Sequence, residues 1–151
     1  MQTPNARIVA AALFASTAAT AAPASDWRMI ARDAEVVHYV DAGSVARAGS
    51  TVLFMGQMVY LVPMRLEAGI EVERALVRRE ADCETMQGRI VQITLYLADN
   101  RFDSWLDESP AEPAATGSAA DALYRAACTR SFGGPSIADP PAHAAALRRA
   151  G

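Results

Sequence analysis

The sequence predicts an α+β fold: an antiparallel β-sheet of about five to six strands, backed by one C-terminal α-helix that a disulfide ties to the sheet. Three observations predict it. From Trp27 to Leu106 the chain passes through successive β-rich segments separated by turn residues. After Ser118 a single stretch carries apolar residues at helical spacing. The only cysteines are Cys83, at the end of an extended segment, and Cys128, on that helical stripe.

The 151 residues fit one domain. The formal net charge of −3 argues against nucleic acid as a partner, because phosphate binding needs a basic face. Residues 1–24 have the three regions of a secretory signal peptide. Arg7 supplies the basic region, Ile8 to Ala15 a short apolar run, and two Ala-x-Ala sites follow, ending at Ala21 and Ala24. The run is shorter than the roughly 20 residues a spanning helix needs. No cysteine stands near either site to carry a lipid. The mature protein is therefore expected to be exported and soluble, in the periplasm or outside the cell. The expected organisation is a leader over 1–24, a folded domain over 25–130 and a flexible tail over 131–151.

The elements follow in order. Trp27 to Arg32 alternates Trp27, Met29 and Ala31 against Arg28 and Arg32, as a first strand does. Val36 to Val40 is the second. Asp41-Ala-Gly-Ser44 makes a turn in which the Asp41 carboxylate can accept from amides ahead of it. Gly49 supplies a positive φ before the next strand. Thr51 to Val62 is apolar on both faces, which predicts a central strand with cover on both sides. From Ile70 to Cys83 the apolar parity changes near Arg74, which predicts a β-bulge. Arg89 to Leu97 alternates most regularly, with Val91, Ile93, Leu95 and Leu97 inward and Gln92 and Thr94 outward. Arg101 to Leu106 is a short sixth strand carrying Phe102 and Trp105, and Glu108 to Gly117 is a Pro- and Ala-rich loop.

Ser118 opens the helix, with Asp121 in the place of the usual Glu or Gln of a capping box. Ala120, Leu123, Tyr124, Ala127 and Cys128 form its apolar stripe, so Cys128 should face the sheet. An even cysteine count in an exported chain reads as one bridge, Cys83–Cys128. No Cys-x-x-Cys spacing and no neighbouring His favour a metal or a catalytic thiol pair instead.

Catalytic signatures are missing: there is no Gly-x-Ser-x-Gly, phosphate-binding loop, His-Glu-x-x-His or Gly-x-Gly-x-x-Gly. His38 lies in a strand and His143 in the expected tail, which makes no metal site. Asp41 and Ser44 are better explained by the turn than by a triad. No catalytic, cofactor-binding or metal-binding residue is expected. What remains is a mixed-charge sheet face around Arg74, Arg78 and Arg79. Its bland reading is a solvated surface, and its functional reading is a protein contact.

One resemblance is carried by the order of these features. Trp27, Tyr39-Val-Asp41, Ser44-Val-x-Arg47-x-Gly49, an apolar strand, Asp82-Cys83, the Tyr96 strand, Trp105 and a helix holding Cys128 follow a leader. This resembles the surface-adhesin protein E family over about Trp27 to Cys128. The resemblance implies an antiparallel sheet backed by a disulfide-tethered helix. It also implies adhesion to host matrix or serum glycoproteins such as vitronectin or laminin, with no enzyme activity and no cofactor. It transfers only Cys83 and Cys128, since no short motif carries the family's binding activity. The alternative is a periplasmic structural or inhibitory envelope protein whose partner is another bacterial protein.

Overall fold

A computed structural model describes residues 24–99 and 101–150. The expected leader lies outside the described residues, Ala24 excepted. The described chain forms β1 (Trp27–Arg32), β2 (Val36–Asp41), β3 (Ala46–Ala48), β4 (Thr51–Arg65), β5 (Glu71–Asp82), β6 (Gln87–Leu97), β7 (Phe102–Leu106), β8 (Glu112–Pro113), α1 (Ala119–Thr129) and α2 (Pro140–Ala150). The strands make one antiparallel sheet in the order β1-β2-β4-β5-β6-β7; β3 adds to β4, and β8 to β6. The six strands of that path are those legible in the sequence. The two short ones are not, because two or three exposed residues carry no period.

Local chemistry places the turns. Asp41 accepts from the amides of Gly43 (3.1 Å) and Asp26 (2.8 Å). Ser44 Oγ donates to the Asp41 carbonyl (2.6 Å) and accepts from the Met55 amide (2.9 Å). Both residues are thus committed to the turn, as an Asx-type motif predicts. Gly49 has φ 61° where the chain reverses from β3 into β4.

The sheet has two faces, called front and back here, and each has its own helix. On the front, Val40, Val52, Phe54 and Ala81 pack under Leu123, Tyr124 and Ala127 of α1. On the back, Val37, Tyr39, Val59 and Leu61 pack with Ala144 of α2. This explains why β4 is apolar on both sides. Its buried positions are Val52, Phe54 and Gly56, and then Gln57, Val59 and Leu61. No bulge intervenes between those two sets. The cover changes side instead, from α1 to α2. A third cluster on the sheet, Val72, Ala75, Val77 and Leu95, is flanked by half-buried Met58, Tyr60, Ile90 and Ile93. The bulge expected near Arg74 is present: the β5–β6 pairing slips between Val72 and Arg74, and again between Arg78 and Arg79.

Helix α1 begins as its sequence predicts. Ser118 Oγ accepts from the Asp121 amide (3.2 Å), and Asp121 reaches back to the Gly117 amide (3.0 Å). Its far end is tied down twice. Cys83 and Cys128 are bonded across a Cα–Cα distance of 5.6 Å, and Arg130 donates to the Val45 carbonyl (3.0 Å).

The flexible tail expected over 131–151 requires correction. Ile137 bridges to Trp27, and α2 follows with Ala144 fully buried. Asp139 caps α2 by accepting from the Ala142 amide (3.0 Å), with Pro140 in the first turn. The Asp139-Pro140 pair was the available signal. Its weight was masked by an Ala-rich sequence with too few large apolar residues to draw a stripe. The single-helix plan likewise becomes a plan with two helices, on opposite faces.

Candidate protein-contact face

Alternation along β5 decides where the three arginines go. Neighbouring strand residues point to opposite faces, so Arg78 and Arg79 cannot share one. Arg74 and Arg78 lie on the back with Leu76, while Arg79 lies on the front with Ala75 and Val77. Arg78 is exposed and Arg74 half-exposed, but Arg79 is only 8% exposed. Arg79 therefore leaves the expected contact face. Burial also pulls its pKa below the ordinary arginine value.

On the back face α2 covers the β2–β4 side and leaves the β5–β7 side bare. There Arg74 is paired with Tyr96, and its guanidinium carbon sits 3.5 Å from the ring centroid. Stacking of this kind uses the ring's negative face to hold the cation. The Tyr96 ring in turn packs against Phe102 of β7, with centroids 6.0 Å apart. Beside this row, Thr94 Oγ1 bonds Ser104 Oγ at 2.9 Å, and Gln92 Nε2 reaches the same oxygen at 3.4 Å. Phe102 is 68% exposed and Leu106 72%, both on this face by register. A hollow of about 220 Å³ separates the row from α2, lined by Val59, Glu73, Arg74, Pro141, Ala145 and Arg148.

The face so built is a strip of two arginines, two aromatic rings, a hydroxyl–amide row and an exposed leucine. It offers cation, π-face and hydrogen-bonding groups. Among the described residues no three His, Cys, Asp or Glu side chains converge. No described helix is long and apolar enough to cross a membrane. His143, expected in a loose segment, instead seats α2: its Nδ1 is hydrogen-bonded to the Tyr39 hydroxyl at 2.9 Å.

The sequence singled out Arg74 and Arg78 as candidates, but not Tyr96, Phe102 and Leu106, which the structure places beside them on this face. Tyr96 continues the outward parity of Gln92 and Thr94, so its direction was legible. That Phe102 lies beside it depends on the β6–β7 register, which no local pattern fixes. Among the other aromatic side chains, Tyr39 and Phe54 are buried, whereas Trp105 is exposed at the β7 edge.

Comparison with known proteins gives three findings. The family model described as surface-adhesin protein E matches residues 27–129. A crystal structure of Protein E from non-typeable Haemophilus influenzae aligns with 16% identity and a TM-score of 0.44, covering 89% of this chain and 96% of that one. No curated protein matches the chain.

Proposed function

The chain belongs to the surface-adhesin protein E family, and on that premise we propose that it acts as an exported, non-enzymatic adhesin-like module, contacting another protein through the open half of its back face. The observation that carries this reading is the Arg74–Tyr96–Phe102 row, held on the sheet and left uncovered by α2. Arginine and aromatic side chains are the residue types that anchor protein contacts. A stacked guanidinium already holds its bound geometry, so less side-chain freedom is lost on docking. Host matrix or serum glycoproteins such as vitronectin or laminin are the partners the family suggests, and an envelope protein of the same cell is the alternative.

The test compares the purified protein with an Arg74→Ala/Arg78→Ala variant by surface binding to immobilised vitronectin, laminin and an envelope extract. The parent should bind at least one of them, less strongly as salt rises from low to physiological. The variant should bind it at least tenfold more weakly, with Tm unchanged within about 2 °C, since both side chains leave the core untouched. Equal binding by the two proteins removes this face from the reading. Turnover of a small substrate without protein binding removes the adhesin-like reading itself.

A further inference from the structure

The open half of the back face runs against the charge of the whole chain. The protein has a net charge of −3, yet this face presents Arg74 and Arg78 on β5, and Arg148 of α2 stands beside them. Among the described residues no ion pair includes any of the three. Arg74 and Arg148 are held by neutral groups instead. The Arg74 guanidinium carbon sits 3.5 Å from the Tyr96 ring centroid, and Arg148 donates to the Tyr60 carbonyl (2.8 Å). Stacking uses the flat face of a guanidinium and leaves N–H groups at its edge free to donate.

Arg74 and Arg148 line one hollow, the first from the sheet and the second from α2. Val59, Pro141 and Ala145 supply apolar wall, and exposed Glu73 also lines it. Its volume of about 220 Å³ is below the roughly 300–1,000 Å³ of sites that enclose a whole small molecule. It has room for one side chain. Two cations against Glu73 leave one positive charge uncompensated, which matches a single carboxylate.

Strand geometry extends the match. Arg74, half-buried Leu76 and Arg78 share this face, and their run pairs with Val59 to Met55 of β4 without a slip. At about 3.3 Å per residue the two arginines stand about 13 Å apart along β5. An extended segment lying along β5 has the same rise and turns alternate residues toward the sheet. Its positions i, i+2 and i+4 therefore meet Arg74, Leu76 and Arg78.

We propose that the partner docks through an extended segment of the form acid-x-apolar-x-acid, with one carboxylate in the hollow between Arg74 and Arg148 and the other on Arg78. This rests on the contact face proposed above and names the chemistry of what that face receives. Arginine–carboxylate pairs are charge-assisted and match in geometry, and the apolar residue covers Leu76. A sulfated glycan fits less well, because its charges are continuous, whereas Leu76 and Glu73 interrupt the arginines here.

The test titrates the isotope-labelled protein with a capped peptide of core Glu-Thr-Leu-Thr-Glu, with its Gln-Thr-Leu-Thr-Gln counterpart and with a heparin fragment. NMR reads the backbone amides and the arginine Nε–H groups. The glutamate peptide should bind saturably, move Arg74, Arg78 and Arg148 together, and leave Arg125 on α1 in place. Its affinity should fall with salt. Binding should be weaker by about tenfold or more for the glutamine peptide and for Arg148→Ala, and by less for Arg148→Lys, which keeps the charge but loses the fork. The glutamine peptide tests the charge without altering the fold, and the His143 ring, seated against Tyr39, reports whether α2 stays docked in the variants. No saturable binding, equal affinity of the two peptides, shifts away from the three arginines, full binding by Arg148→Ala, or tighter binding of the heparin fragment at the same residues would each overturn the proposal. The contact face is judged separately. If Arg74→Ala/Arg78→Ala still loses binding to vitronectin, laminin or envelope extract while the glutamate peptide fails, the acidic segment alone is overturned; if that variant loses nothing, the face falls with it.

Discussion

Gly88→Ala should cost more stability than any other single methyl added to this sheet, and the reason can be worked through in distances. Gly88 sits on β6 opposite Ala81, beneath α1. Its φ lies outside the left-handed region, so the backbone itself accepts alanine. The space does not. A Cβ there would stand 2.4 Å from Tyr124 Cζ, 2.7 Å from Tyr124 Cε2 and 2.7 Å from the Glu80 carbonyl oxygen. Carbon atoms in good contact are about 3.5–4.0 Å apart, so the ring or the strand must move by about 1 Å. The ring has little freedom. Tyr124 is buried, it meets Phe54 edge-on at 6.4 Å between centroids, and α1 is bonded to the sheet region through Cys128. Overpacking typically costs about 1–3 kcal/mol, and the backbone oxygen in the way puts this site at the upper end. A loss near 3 kcal/mol lowers Tm by about 10 °C for a domain of this size. The assay is urea unfolding of the parent, Gly88→Ala, Tyr124→Leu and the double variant. Leucine removes the two ring atoms that clash, so the double variant should be more stable than the summed single losses by about 1 kcal/mol or more. Losses that add within about 0.5 kcal/mol, or a Gly88→Ala protein as stable as the parent, would refute the reasoning.

Further outcomes are expected elsewhere. The Cys83–Cys128 bridge spans 45 residues, for which the chain-entropy relation gives about 4 kcal/mol; the double Ser variant should fall short of the parent by about 2–5 kcal/mol in urea, and equal midpoints would mean the bridge does not constrain the unfolded chain. Asp82 accepts from Ser50 Oγ (2.6 Å), the Thr85 amide (2.8 Å) and hydroxyl (3.0 Å), and the Glu84 amide (2.9 Å), and its carboxyl is held down at about 2, the Ser50 bond contributing most. A depressed acid supports the fold above its unfolded value of about 3.9, and that support is lost as pH falls through the folded value. Asp82→Asn should therefore lose less Tm than the parent between about pH 4 and pH 2 in calorimetric scans. The Tyr39 hydroxyl, bonded to His143 Nδ1 (2.9 Å) and the Pro140 carbonyl (3.3 Å), is pushed up to about 12 by burial. A raised value means stability fully present below about pH 10 and lost as pH climbs toward the folded value. Tyr39→Phe should remove that alkaline loss, cost about 1 kcal/mol at neutral pH, and speed hydrogen exchange in α2; unchanged α2 protection would show that the hydroxyl does not seat the helix.

The sequence by itself determined the six principal strands, the capped helix and the place of the bulge. Each rests on neighbours in the chain: alternation, a Ser118–Asp121 cap, a parity change at Arg74. It also determined that Cys128 would face the sheet, because Leu123, Tyr124 and Ala127 draw the stripe on which it lies. Tertiary structure decided everything that depended on which surface meets which. The helix α2 is stable on the sheet because Val37, Val59 and Leu61 need cover that its own small residues supply only after docking. Its Ala-rich pattern carries almost no local signal. The partition of the arginines combined both levels. Alternation already separated Arg78 from Arg79, but only the placement of the helices made one face open and the other closed. The row Arg74–Tyr96–Phe102 exists because β5, β6 and β7 pair in one register, and register comes from matching faces across strands, a property that no single strand contains.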